Sequence, residues 1–203
     1  MGKISRTREQ LLDSAEQAIL AKGFAATSIE ELIENVGITK SGFFYHFKDK
    51  GTLAHALMSR YVEKDQELLD DTFARADELN DDPLHGLLIA LKLLAEAMAD
   101  LPEDKVGCLA AAFCYQDHLF DSEVRRLNAE SALLWRRLFT KRLAAVSERY
   151  PPRVDVDMDA LADMIVTVFE GGIIVSRLVR EWSVLPKQIL LYRDFVRSIF
   201  LPQ

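Results

Sequence analysis

Between Thr39 and Leu53 the chain reads TKSGFFYHFKDKGTL, a run of hydroxyls, a phenol, an imidazole, three lysines and three phenylalanines. Hydroxyl, imidazole and ammonium groups hydrogen-bond to phosphate oxygens and base edges, so the chemistry on offer is recognition of a polyanion. Catalytic spacings are missing. The four histidines, His46, His55, His85 and His118, form no HExxH, and the two cysteines no Cys-x-x-Cys, which leaves no legible metal site. The only Gly-Gly pair, Gly171-Gly172, precedes no Lys-Ser/Thr, and no serine sits in Gly-x-Ser-x-Gly. The expectation is a protein that is no enzyme and carries no cofactor.

The elements that must position these groups are helices. Apolar residues recur at three- and four-residue spacing with no sustained alternation, which predicts an all-α chain. Leu11, Leu12, Ala15, Ala18 and Ile19 mark a first helix from Ser5 to a stop at Gly23. Ser28 and Glu31 form a capping-box start for a second, which carries Leu32, Ile33 and Val36 and ends at Gly37. A third runs from Thr39 to about Phe47, and Asp49 caps a fourth that reaches about Leu79. Asp82-Pro83 opens a strongly apolar fifth, LPEDKVG at 101–107 breaks it, and four more are expected at about 109–118, 121–148, 158–182 and 186–201.

The segment from Ile29 to Phe47 has the layout of a helix-turn-helix, because a glycine at the turn accepts positive φ and lets two short helices meet steeply. Leu32, Val36, Ile38, Phe43 and Phe47 form its inward face. Outward on its second helix remain Lys40, Ser41, Gly42, Tyr45 and His46, small enough to let a backbone near a major groove and polar enough to hold phosphates. A plain helical hairpin with a solvated face is the competing reading. Four aromatics in five residues argue against it, since a merely solvated helix gains nothing from them.

The stretch TSIEELIENVGITKSGFFYHFKDKGTLAHAL resembles the DNA-binding domain of the TetR family of bacterial transcriptional regulators, in which a glycine turn leads to a recognition helix ending in an aromatic-His-Phe pattern and a lysine opens a long helix. The motif covers residues 5 to about 60. The resemblance implies a helix-turn-helix domain at 1–50 and a helical ligand-binding and dimerisation domain at 51–203. It further implies a homodimer that represses by binding operator DNA and is released by a small-molecule effector. By position it makes Thr27 and Ser28 phosphate contacts, Thr39, Lys40, Ser41 and Gly42 base and phosphate contacts, Tyr45 and His46 a phosphate clamp, and Lys50 a further phosphate contact. Phe44 stands where the family usually has tyrosine, and Ile33 where many members have alanine.

In the eighth helix two adjacent glycines cost about 1 kcal/mol each, which close helix approach would offset. The stripe Ala162, Ile165, Phe169, Gly172, Ser176 and Val179, with Ile189, Tyr192, Val196 and Ile199 on the last helix, suits a four-helix dimer interface; a buried pair within one chain is the alternative. Phe113, Cys114, Gln116, His118, Trp135, Phe139 and Phe169 are candidate ligand contacts, mixing apolar wall with a few polar anchors. For most of them a core role is the alternative. An all-helical small-molecule-binding adaptor without specific DNA binding is the competing function.

Charge agrees with a local, not a general, affinity for DNA. The net charge is −7, yet residues 1–60 hold eight Lys/Arg and seven Asp/Glu, a balance of +1, and the remainder seventeen and twenty-five, a balance of −8. Only the first part would not repel an anion. Cys108 and Cys114 would stand about 240° apart on a helix, too far for a disulfide. With reduced thiols, no secretory leader and no apolar run of about 20 residues, a cytoplasmic protein with no membrane partner is expected.

Overall fold

A computed structural model describes residues 3–102 and 107–201. Among them are nine α-helices and no strand: α1 Lys3–Lys22, α2 Ile29–Val36, α3 Lys40–His46, α4 Lys50–Leu79, α5 Pro83–Ala99, α6 Leu109–Cys114, α7 Ser122–Arg149, α8 Met158–Val179 and α9 Val184–Phe200. The caps read from the sequence at Ser28, Asp49 and Asp82 are in place, and Thr39 supplies another. Ser28 Oγ accepts from Glu31 N at 3.2 Å, Thr39 Oγ1 from Gly42 N at 3.2 Å, Asp49 Oδ1 from Thr52 N at 2.7 Å, and Asp82 Oδ1 from Leu84 N and His85 N. Each satisfies a donor that a helix start leaves without an intrahelical partner.

Two ends differ from expectation. The sixth helix stops at Cys114 rather than His118 and yields to a single 3-10 turn, Asp117–Leu119. The eighth stops at Val179 rather than Trp182 because Arg180 turns left-handed, φ 56, and Glu181 N bonds back to Ser176 O. Of the break expected at 101–107, residues 103–106 lie outside the described residues.

Packing divides the chain into two compact units, Met1–Lys64 with Cys108–Ser131, and Asp65–Gly107 with Ala132–Gln203. In the first, Leu11, Leu12, Leu32, Phe43, Phe47, Leu57 and Phe113 are buried in one core. Arg60 braces α1 to α4 by ion pairs to Glu9, Asp13 and Glu16 at 2.7–3.1 Å. In the second, α5 and α8 both pack on α9, with Tyr192 OH donating to Leu161 O at 2.8 Å and Leu185 N donating to Ser176 Oγ at 3.3 Å. Among the described residues no helix is long and apolar enough to cross a membrane.

Candidate nucleic-acid interface

The geometry of α2 and α3 is set by Gly37 and two phenylalanines. Gly37 adopts φ 70, ψ 38 and its N–H closes α2 onto Glu34 O and Ile33 O. A side chain would be strained there. Phe43 and Phe47, 0 % and 1 % exposed, pin α3 from beneath. At about 100° per residue, Ser41 and Tyr45 then point opposite Phe43, with Lys40 and Phe44 on one flank and Gly42 and His46 on the other. Tyr45 is 69 % exposed, and its ring meets His46 edge-on at 5.1 Å. Thr39 Oγ1 and Ser41 Oγ are 3.0 Å apart at the start of the helix.

Lys40 Nζ reaches Glu30 Oε1 at 3.3 Å. Glu30 lies below its usual carboxylate range, first through the backbone N–H it accepts and then through Lys40. Both side chains are exposed, so the pair is weakly held and open to exchange for a phosphate. Glu31 is likewise held low, foremost by Lys22, and also accepts from the Ser28 backbone, the second half of the capping box. At Gly42 a Cβ would meet nothing closer than 3.4 Å, an ordinary contact. The fold does not need glycine there, and its absence of side chain leaves room on the outer surface.

Two residues expected at DNA are engaged inside the chain. Thr27 is buried, 2 % exposed, and its hydroxyl donates to Gly23 O at 3.0 Å, holding the α1–α2 turn. Lys50 donates to Phe24 O, sits 4.2 Å from the centre of the Phe24 ring, and has its pKa lowered by burial. Lys48, two residues earlier and passed over in the sequence, is exposed; the only signal for it is a cation in the loop just after α3.

The ligand candidates separate by unit. In the first, Phe113 stacks on Phe120 at 4.3 Å and meets Phe24 at 5.7 Å. Gln116 Oε1 accepts from Ala25 N at 3.2 Å. Cys114 and His118 are exposed. In the second, Trp135 lies 6.1 Å from Phe139 and 4.8 Å from Phe169, and its Nε1 donates to Asp65 Oδ2 at 3.2 Å. Burial is the main reason the Asp65 carboxyl is pushed up to about 6; the Trp135 bond opposes that and the charge of Glu170 adds to it. No sequence signal singled out Asp65.

Most of the stripe expected at a dimer interface lies inside this chain. Ile165, Phe169, Gly172, Ser176, Ile189, Tyr192, Val196 and Ile199 are buried among this chain's own helices, and only Val179 is exposed. A Cβ at Gly172 would lie 2.7 Å from Leu185 Cδ1 and 3.2 Å from its Cα, so this glycine serves the approach of α9 to α8. Facing outward instead are Ile174, Val175, Leu178 and Val179 on α8 and Leu191 and Phe195 on α9.

A capped α2, a left-handed glycine turn and an α3 whose polar face is held outward define a helix-turn-helix DNA-binding protein. The comparisons with known proteins agree. Residues 11–57 match the family described as bacterial regulatory proteins, tetR family. The HTH-type transcriptional regulator TtgR of Pseudomonas putida is 26% identical over 192 residues, 93% of this chain and 85% of that one. The probable HTH-type transcriptional regulator ArpR, also of Pseudomonas putida, is 27% identical over 194 residues, with shares of 93% and 85%. A TetR-family regulator of known structure from Agrobacterium tumefaciens shares the fold, with a TM-score of 0.78 at 16% identity over 98% of this chain and 100% of that one. Residues 11–57 thus carry the tetR-family match, and over most of its length the chain is similar to DNA-binding transcriptional regulators.

Proposed function

We propose that the chain is a homodimeric repressor that holds a roughly palindromic operator through two copies of α3 and leaves it when a small molecule enters the second unit. The observation that carries this reading is the outward face of α3, where Lys40, Ser41 and Tyr45 are exposed above a helix anchored by Phe43 and Phe47. Ser28, Thr39, His46 and Lys48 complete the set of groups near phosphate. Thr27 and Lys50 act behind it, fixing the turn and the start of α4.

Support for a dimer comes from the apolar face of α8 and α9, since six large hydrophobic side chains left to solvent on two adjacent helices mark a contact surface. A shallow groove of about 310 Å³ runs there past Val168, Gly171, Val175 and Gln188. Apart from its chain neighbours and its own helix backbone, no heavy atom lies within 4 Å of a Cβ built on Gly171, which leaves backbone open to a second copy in an isologous contact. For the effector, Trp135, Phe139 and Phe169 offer an aromatic wall and Asp65 a polar anchor.

Hydroxyl-radical footprinting on the DNA upstream of the chain's own gene tests the proposal. Two protected patches related by a dyad, about one helical turn or a multiple apart, are the expected result. They should vanish together in the Tyr45→Ala, Ser41→Ala double variant. Uniform, unpatterned protection would refute it.

A further inference from the structure

We infer that Phe44 reads a thymine methyl group in the major groove of the operator half-site; the inference rests on α3 being the DNA-reading helix. Phe44 is 45 % exposed although its ring meets Phe43 edge-on at 5.5 Å. On a face otherwise built from Lys40, Ser41 and Tyr45 it is the one side chain with no hydrogen-bonding atom, so it cannot hold a phosphate and gains nothing from water. It follows Lys40 by four residues, one turn along the same flank, and the stack beneath it denies it an inward position, because Phe43 and Phe47 already fill the core there. The ring is therefore held outward, one turn along the helix from Lys40. Among the base edges of the major groove only thymine carries an apolar group, its C5 methyl. A rigid ring edge on a recognition helix suits that methyl, and it discriminates against cytosine, which presents an amino group in the neighbouring position.

The test uses the full-length protein and the footprinted operator, with each thymine of both half-sites replaced in turn by deoxyuracil, which removes the methyl group and nothing else. At one symmetric position the wild type should bind the uracil operator about fourfold more weakly per half-site, the worth of one buried carbon group. Phe44→Ala should bind thymine and uracil operators there equally, with its melting temperature confirming the fold. If the alanine variant binds too weakly to compare, Phe44→Leu, which keeps a smaller apolar chain, should show a reduced ratio. A wild type indifferent to uracil at every position, or a variant that keeps the wild-type ratio, would overturn the inference while leaving DNA recognition by α3 standing. Failure of the wild type to form any specific complex would instead overturn the reading on which the inference rests.

Discussion

Lys50 and Lys48 are two residues apart and have opposite surroundings. The Lys50 ammonium lies on the carbonyl and ring of Phe24, whereas Lys48 is exposed. Lys50→Ala is therefore expected to lower stability by about 1–2 kcal/mol and to leave the salt dependence of DNA binding nearly unchanged. Lys48→Ala should do the reverse, flattening log affinity against log salt by about one unit for the phosphate it no longer neutralises. Thermal melts and binding titrations at several salt concentrations separate the two. At Asp65 the prediction concerns pH. Its carboxyl is raised to about 6, so the folded chain binds a proton that the unfolded chain releases near 3.9. The cost of ionising it is absent below about pH 4, grows through pH 6 and is fully present above; it reaches about 3 kcal/mol at most. Asp65→Asn keeps an acceptor for Trp135 and removes that cost. The variant should be more stable than the wild type at pH 7.5, with the difference closing by pH 4. Equal melting curves at pH 7.5 would show that Asp65 carries no such penalty.

The adjacent glycines of α8 make opposite predictions. Gly172→Ala drives a methyl against the Leu185 backbone, a strain of about 1–3 kcal/mol that exceeds the roughly 1 kcal/mol alanine gains in a helix. The net effect should be a lower melting temperature. Gly171→Ala meets nothing within the chain, so the folded chain should gain about 1 kcal/mol while self-association weakens. Melting and sedimentation across a concentration series read both. Helix starts were legible in the sequence where each carries its own chemistry: Ser28, Asp49 and Asp82 cap where an acceptor precedes an apolar period. The inward face of α8 was not. Both of its faces are apolar, with Ile165 and Phe169 on one and Ile174, Val175 and Leu178 on the other, and periodicity identifies a stripe without saying what covers it. The glycine pair signalled close approach but not that the approaching helix was α9 of the same chain.

At the scale of the molecule, the first unit carries α3, the proposed reading helix, and the second the apolar face of α8 and α9. One reading helix makes few contacts, and two held at a fixed spacing combine theirs. Leu178, 77 % exposed, belongs to no core, so Leu178→Asp should fold normally, sediment as a monomer and lose operator affinity by at least about a hundredfold. Retained dimerisation would place the interface elsewhere. Residues 108–131 pack with the first unit through long-range pairings such as Gln116 with Ala25 and Phe113 with Phe24, for which a single sequence offers no signal. Likewise Thr27 and Lys50 matched the family's pattern in position, while their burial depends on Gly23 and Phe24, which precede the stretch from Thr27 to Leu57 that carries the resemblance. The helix-turn-helix itself was legible because turn, caps and anchors all lie within Ser28 to Phe47. Its function rests most directly on one measurement: fluorescence-anisotropy titration of upstream and random DNA of equal length at two salt concentrations. The upstream DNA should bind at least about a thousandfold more tightly at physiological salt, both affinities falling as salt rises. Equal affinity for the two DNAs would contradict sequence-specific recognition by α3.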